Sequence, residues 1–221
     1  IGNVTSVNAT GIGAFANGGG IVIDSSAGSV LGNQNGIFAQ DVLASVSVTT
    51  ANVTGTNGSG IIAQGTGGVT VDSSAGSVMA EFTGIFAQEL GTTATVSVTA
   101  ADVTSNRSIG ISATSNGGDV TVNSVAGAVM SSAEGVSAHS NGTGTVSVTT
   151  ADVTSTGEVG IYATSNGGGI TINSTAGSVT GFTGIYAREN AGGNISITTA
   201  NVTATGNDAI LTNGGDTTID S

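Results

Sequence analysis

The chain has 221 residues, 38 of them Gly, with no Pro, Cys or Trp and only 7% charged residues. Fourteen acids against two Arg give a net charge of −12, which repels phosphate and anionic lipid and excludes a nucleic-acid binder. A hydrophobic content of 38%, rich in Val and Ile, excludes disorder, and the absence of Pro excludes collagen. No apolar run approaches the roughly 20 residues that span a bilayer, so no membrane insertion of this segment is expected. The lack of Cys leaves the redox compartment open.

Internal repetition is the main signal. A marker, Gly-Ile-x-Ala, begins at Gly11, Gly36, Gly60, Gly84, Gly110, Gly135 (as Gly-Val), Gly160 and Gly184, and a degenerate copy begins at Ala209. The intervals are 24 to 26 residues. Within each interval a Gly-rich turn leads to a second segment of alternating Val or Ile, such as Val146/Val148 and Ile170/Ile172. A further turn leads to a third segment with one apolar residue, such as Val153 or Val179. Two kinds of interval alternate. In type A, as at residues 110–134, nine residues separate the first apolar residue of segment two from that of segment three; in type B, as at residues 135–159, seven do. Length varies mainly between segments one and two, so that turn is the one open to insertion.

Side chains of a strand alternate between its two faces. Ile161, Ala163, Ile170, Ile172 and Val179 can therefore share one interior, with the equivalent residues of the next interval above them. One coil cannot bury these residues alone, but a stack can. The sequence thus predicts an all-β fold, a parallel β-helix (solenoid) of about nine coils, with three short strands per coil of about 25 residues. Parallel crossovers are right-handed, so a right-handed helix is expected. A four-bladed propeller is disfavoured because the marker recurs at half the blade length. The repeats cover residues 1–221 as a single β-helical repeat domain. Ile1 falls inside a repeat and no signal peptide is visible, so the sequence reads as a fragment or processed part of a longer chain.

The units GIYATSNGGGITINSTAGSV and GIYARENAGGNISITTANVTATG resemble the Gly-Ile-Tyr-Ala repeats in passenger domains of bacterial autotransporter proteins. That resemblance implies a surface-displayed β-helix, extracellular or on the bacterial cell surface, serving as an adhesin or stalk. It implies a host-surface or carbohydrate receptor as partner.

Few residues could carry chemistry. Glycoside hydrolysis needs two carboxylates across one sugar; Asp24 and Asp72 share a column, but Thr49 of the coil between separates them. His139, near Glu134, lacks a second His or Cys and reads as a surface turn residue. The Gly-Gly-to-Asp spacing at residues 18–24 and 214–220 would allow calcium at isolated Asp-containing turns; no other cofactor is expected, and the chain reads as non-enzymatic. Outward Ser and Thr of segment two (Ser47, Thr70, Ser97, Thr121, Ser147, Thr171, Ser196) form ranks of the kind an ice-binding surface uses, interrupted by Asp or Asn two residues on. The outward marker column holds Phe38, Ile62, Phe86, Tyr162 and Tyr186, four of the chain's seven Phe and Tyr. Exposed apolar ladders mark partner contacts, whereas stacked rings also stabilise a sheet. Both readings stand at this point.

The leading expectation is a structural or adhesive β-helix that forms a stalk or filament. The alternatives are an ice-binding module and a carbohydrate-active enzyme. Self-association is expected laterally through the aromatic column or head-to-tail. The chain opens in a third segment at Val4 and closes in a second at Ile219, bounding nine whole coils. Ala209, Thr212 and Thr217 weaken the last coil, as a capping repeat would.

Overall fold

A computed structural model describes residues 2–221. These residues form 23 strands and no helix, and every strand pairing is parallel. The chain winds as a parallel β-solenoid of about nine coils. The nine marker segments, from Ile12–Ala16 to Ile210–Asn213, form a nine-stranded sheet whose order follows the chain. Segments two and three together form a fourteen-stranded sheet.

The register is the one that the repeats dictate. Ile12, Ile37, Ile61, Ile85, Ile111, Val136, Ile161, Ile185 and Ile210 stack in one file. Ile161, Ala163, Ile170, Ile172 and Val179 all lie in the core, at most 2% exposed. Each fully buried Val or Ile contributes roughly 1.5–3 kcal/mol of transfer free energy, set against the entropy of ordering the chain. The files are less covered in the outermost coils, where Val4, Ile12, Val202 and Ile210 are half-buried.

Three separate strands per coil are not found everywhere. In Ile21–Gly32, Val46–Gly55, Ile170–Gly181 and Ile195–Ala204, segments two and three run on as one strand. An inward hydroxyl at the bend accounts for the difference. Ser25 donates to Thr50 Oγ1 at 2.8 Å, and Ser174 and Thr199 hydroxyls lie 2.7 Å apart. Coil-to-coil pairing of these hydroxyls holds the backbone extended through the bend. In the intervening coils the same file contains Ser73, Ala100, Ser124 and Thr150; none of the three hydroxyls has a partner, and the strands break.

The alternation of coil types also has a structural basis. Asn3, Asn52, Asp102 and Asp152 of successive type B coils accept backbone N–H bonds from Ser29, Ser77, Ala128 and Ser178 in the type A coils that follow. Each B side chain thereby caps the longer A bend above it. The N–H and hydroxyl of Ser178 hold the Asp152 carboxyl below its usual pKa.

Marker glycines are required by close approach and not by a left-handed backbone. A Cβ on Gly36, Gly60, Gly84, Gly110, Gly135, Gly160 or Gly184 would collide with the third-segment Val of its own coil and the carbonyl oxygen of the next marker. The Gly-rich turn is different: Gly18, Gly19 and Gly20 have φ of 91°, 117° and 80°, a region that L side chains avoid.

Candidate functional site

The outer face of the nine-stranded sheet collects most of the residues singled out by the sequence. Phe38, Ile62 and Phe86 are consecutive in register, as are Tyr162, Tyr186 and Leu211. Ser112 and Ser137 lie between the two groups. The large side chains are half-buried on this face, not fully exposed, because neighbours one coil away cover their flanks. The Tyr162 and Tyr186 rings stack with centroids 5.2 Å apart and planes 14° apart. Rings stacked along the solenoid axis present edges to solvent, so the ladder stabilises the coil stack as well as bordering the surface. Burial raises the Tyr162 pKa, with Tyr186 adding to it and Arg188 opposing.

A second outward file, two residues on, was not identified from the sequence. It runs Phe15, Gln40, Gln64, Gln88, Thr114, His139, Thr164, Arg188, Asn213. Gln40 donates to Gln64 and Gln64 to Gln88, at 3.2 and 2.8 Å, forming an amide ladder. The repeated Ala-Gln at residues 39–40, 63–64 and 87–88 was the available signal. Phe15 is 75% exposed and packs on Phe38 at 5.0 Å.

His139 belongs to this file, within the strand Val136–Ser140, and not to a turn. Its Nε2 lies 2.7 Å from Ser137 Oγ and its Nδ1 2.6 Å from Thr164 Oγ1. Tyr162 meets its ring edge-on at 4.9 Å. Burial lowers its pKa below the usual histidine value. Both nitrogens are taken up by hydroxyls, which fixes the ring on the outer face of the sheet.

The acids lie elsewhere. Asp24 and Asp72 flank Thr49 in register on the larger sheet, and each accepts the N–H and hydroxyl of the Ser two residues on. Asp41 points inward and accepts N–H bonds from Gly18, Gly20, Leu43 and Ala44; the Leu43 N–H foremost lowers its pKa, against the opposing effect of burial. Glu189 is also buried and accepts from Ala191 and Gly193. Glu89 is buried and accepts from Asn116. At the same inward position, Ser115, Ser140 and Ser165 replace the acid and bond to the turn backbone. These carboxylates are turn caps. The Gly18 and Gly20 amides of the glycine-rich turn face a carboxylate, a donor arrangement unlike the oxygen cage calcium needs. No group of three or more His, Cys, Asp or Glu that could hold a metal occurs among the described residues.

Fold and surface together define a parallel β-solenoid with one polar-aromatic face. No known protein family, curated protein or solved structure matches the chain.

Proposed function

We propose that this chain is a non-enzymatic, extracellular structural or adhesive solenoid that works by presenting one long face. The observation that supports this most is the distribution of charge. All fourteen acids lie in turns, on the larger sheet or in the interior, and none is outward on the nine-stranded sheet. A chain of net charge −12 thus keeps one face whose strands present no outward carboxylate, with Glu134 beside Tyr162 at its margin. The Gly-Ile-Tyr-Ala resemblance supports a bacterial cell-surface setting and a host-surface or carbohydrate receptor.

Ala209 bears on how copies would associate. It stands where the other coils have Gly, so a coil or second copy seated above it in register would meet a Cβ that no other marker presents. Lateral contact is therefore favoured over head-to-tail stacking. The test is adhesion of the purified protein to immobilised polysaccharides and cell surfaces. Retention lost with the triple change of Phe38, Ile62 and Phe86 to Ser is expected; cleavage of a polysaccharide would overturn the reading.

A second reading rests on the larger sheet. Ser47, Thr70, Ser97, Thr121, Ser147, Thr171 and Ser196 stand in unbroken register there, the regular hydroxyl spacing an ice-binding surface needs. Thermal hysteresis would select it.

A further inference from the structure

We infer that the acid-free face of the nine-stranded sheet binds a second copy of this chain, in a two-fold dimer with the solenoid axes antiparallel. The inference rests on the proposed role of that face and names its partner. Three observations carry it.

The first is charge. Two chains each carrying −12 repel across every surface bearing acids. On this face the outward file holds Arg188 and the neutral amide ladder, and the strands bring no outward carboxylates together; Glu134 lies at the margin, beside Tyr162.

The second is shape. Along the marker column, bulky residues occupy coils two to four (Phe38, Ile62, Phe86) and small ones coils five and six (Ser112, Ser137). A two-fold axis parallel to the strands and lying between Phe86 and Ser112 sets Phe86 against the partner copy's Ser112 and Ile62 against its Ser137. Large residues face small ones there and where Gly13 meets the partner copy's Tyr186, the condition for interdigitation, while Phe38 meets the partner copy's Tyr162 ring to ring; the contact is the same in both directions, as an isologous interface requires. The same operation sets Phe15, the most exposed large apolar side chain of this face, against Arg188 of the other copy, an arginine-on-aromatic contact.

The third is area. Eight overlapping coils at about 4.8 Å each and strands about 16 Å long give roughly 600 Å² per copy. The total, about 1,200 Å², reaches the lower bound of about 1,200–2,000 Å² for specific interfaces.

The chain has no Cys, so engineered thiols report without interference. Phe15 and Arg188 lie seven coils apart, about 34 Å, far beyond disulfide reach within one chain. Oxidising a mixture of Phe15→Cys and Arg188→Cys chains is expected to yield covalent dimer, whereas each variant alone yields little. Sedimentation is expected to show a parent dimer that Ile62→Glu converts to monomer. Far-ultraviolet circular dichroism checks the fold of each; Phe15 and Arg188 are exposed, so the cross-linking arm stands even if Ile62→Glu unfolds. A parent that stays monomeric across a wide concentration range overturns the inference, as does a dimer without the mixed cross-link. Adhesion by a parent that is monomeric would leave the proposed function standing and remove only the dimer.

Discussion

A methyl group on Gly84 would collide with Val103 Cγ1 and lie 2.5 Å from the Gly110 carbonyl oxygen one coil on. Neither neighbour can yield without disturbing two coils, so Gly84→Ala is expected to lower unfolding free energy by about 1–3 kcal/mol, the usual cost of overpacking. Gly13 has open space around its Cβ direction, and Gly13→Ala is expected to stay within about 0.5 kcal/mol of the parent. Urea unfolding of the two variants measures the contrast. His139 gives a second residue-scale prediction. Its folded-state pKa is lowered by burial, so between that value and the unfolded one, about 6.5, the unfolded chain binds more protons. Stability from neutral His139 is fully present above the unfolded value and falls as pH drops toward the folded one. Glu134 acts with the opposite sign, because burial and Glu158 raise its pKa; its contribution is lost as pH rises through the folded value. The difference between the parent and His139→Gln isolates the histidine. The parent is expected to lose more melting temperature than the variant between pH 7.5 and 5.5.

At the scale of single elements, the two turns that flank segment two differ in what they tolerate. The turn before it, at residues 141–145, is exposed to half-buried at most positions and varies in length among coils. The bend after it keeps one length within each coil type, and its two lengths differ by an even number of residues, because Val148 and Val153 must both meet the files above and below. One Gly inserted between Asn141 and Gly142 is expected to leave the melting temperature nearly unchanged. The same insertion between Ala151 and Asp152 would shift Val153 out of its file or turn it outward, since side chains alternate with period two. It also moves Asp152 away from the Ser178 N–H that it accepts from at 2.8 Å. A substantially lower melting temperature is expected for that variant alone, and thermal circular dichroism of the pair checks it.

The whole molecule is a stack in which each coil touches only its neighbours, so stability is close to a sum over coils and their interfaces. Removing residues 110–159 deletes one type A and one type B coil and joins Ile109 to Gly160. Every file closes up in register, and Asp102 of a B coil still meets an A bend. This shortened chain is expected to unfold cooperatively with its β signature intact. Removing only residues 110–134 sets B upon B and takes away the Ala128 N–H that Asp102 accepts from. It is expected to melt below the two-coil deletion although it keeps more of the chain. The reverse order of melting would show that the coil alternation has no structural weight.

Much of this architecture follows from sequence alone, because a solenoid translates linear period directly into stacking. The spacing of Ile161, Ile170, Ile172 and Val179, repeated about every 25 residues, fixed which residues are interior and which share a file. Nothing beyond strand alternation was needed. The outward column of Phe38, Ile62, Phe86, Tyr162 and Tyr186 was legible for the same reason. What the sequence could not determine depends on contacts between coils that periodicity does not encode. The marker Gly is conspicuous in the repeats, but only the approach of its own coil's third-segment Val and the next marker's carbonyl shows why a methyl group is excluded. The placement of His139 in a strand, between Ser137 and Thr164, required knowing where the marker strand ends. The merging of segments two and three depends on whether two inward hydroxyls, such as Ser25 and Thr50, reach one another. The acid-free face emerged only when fourteen scattered carboxylates were assigned to turns, interior and larger sheet. A position in the chain gives the coil and the segment; direction and neighbour are set by the stack.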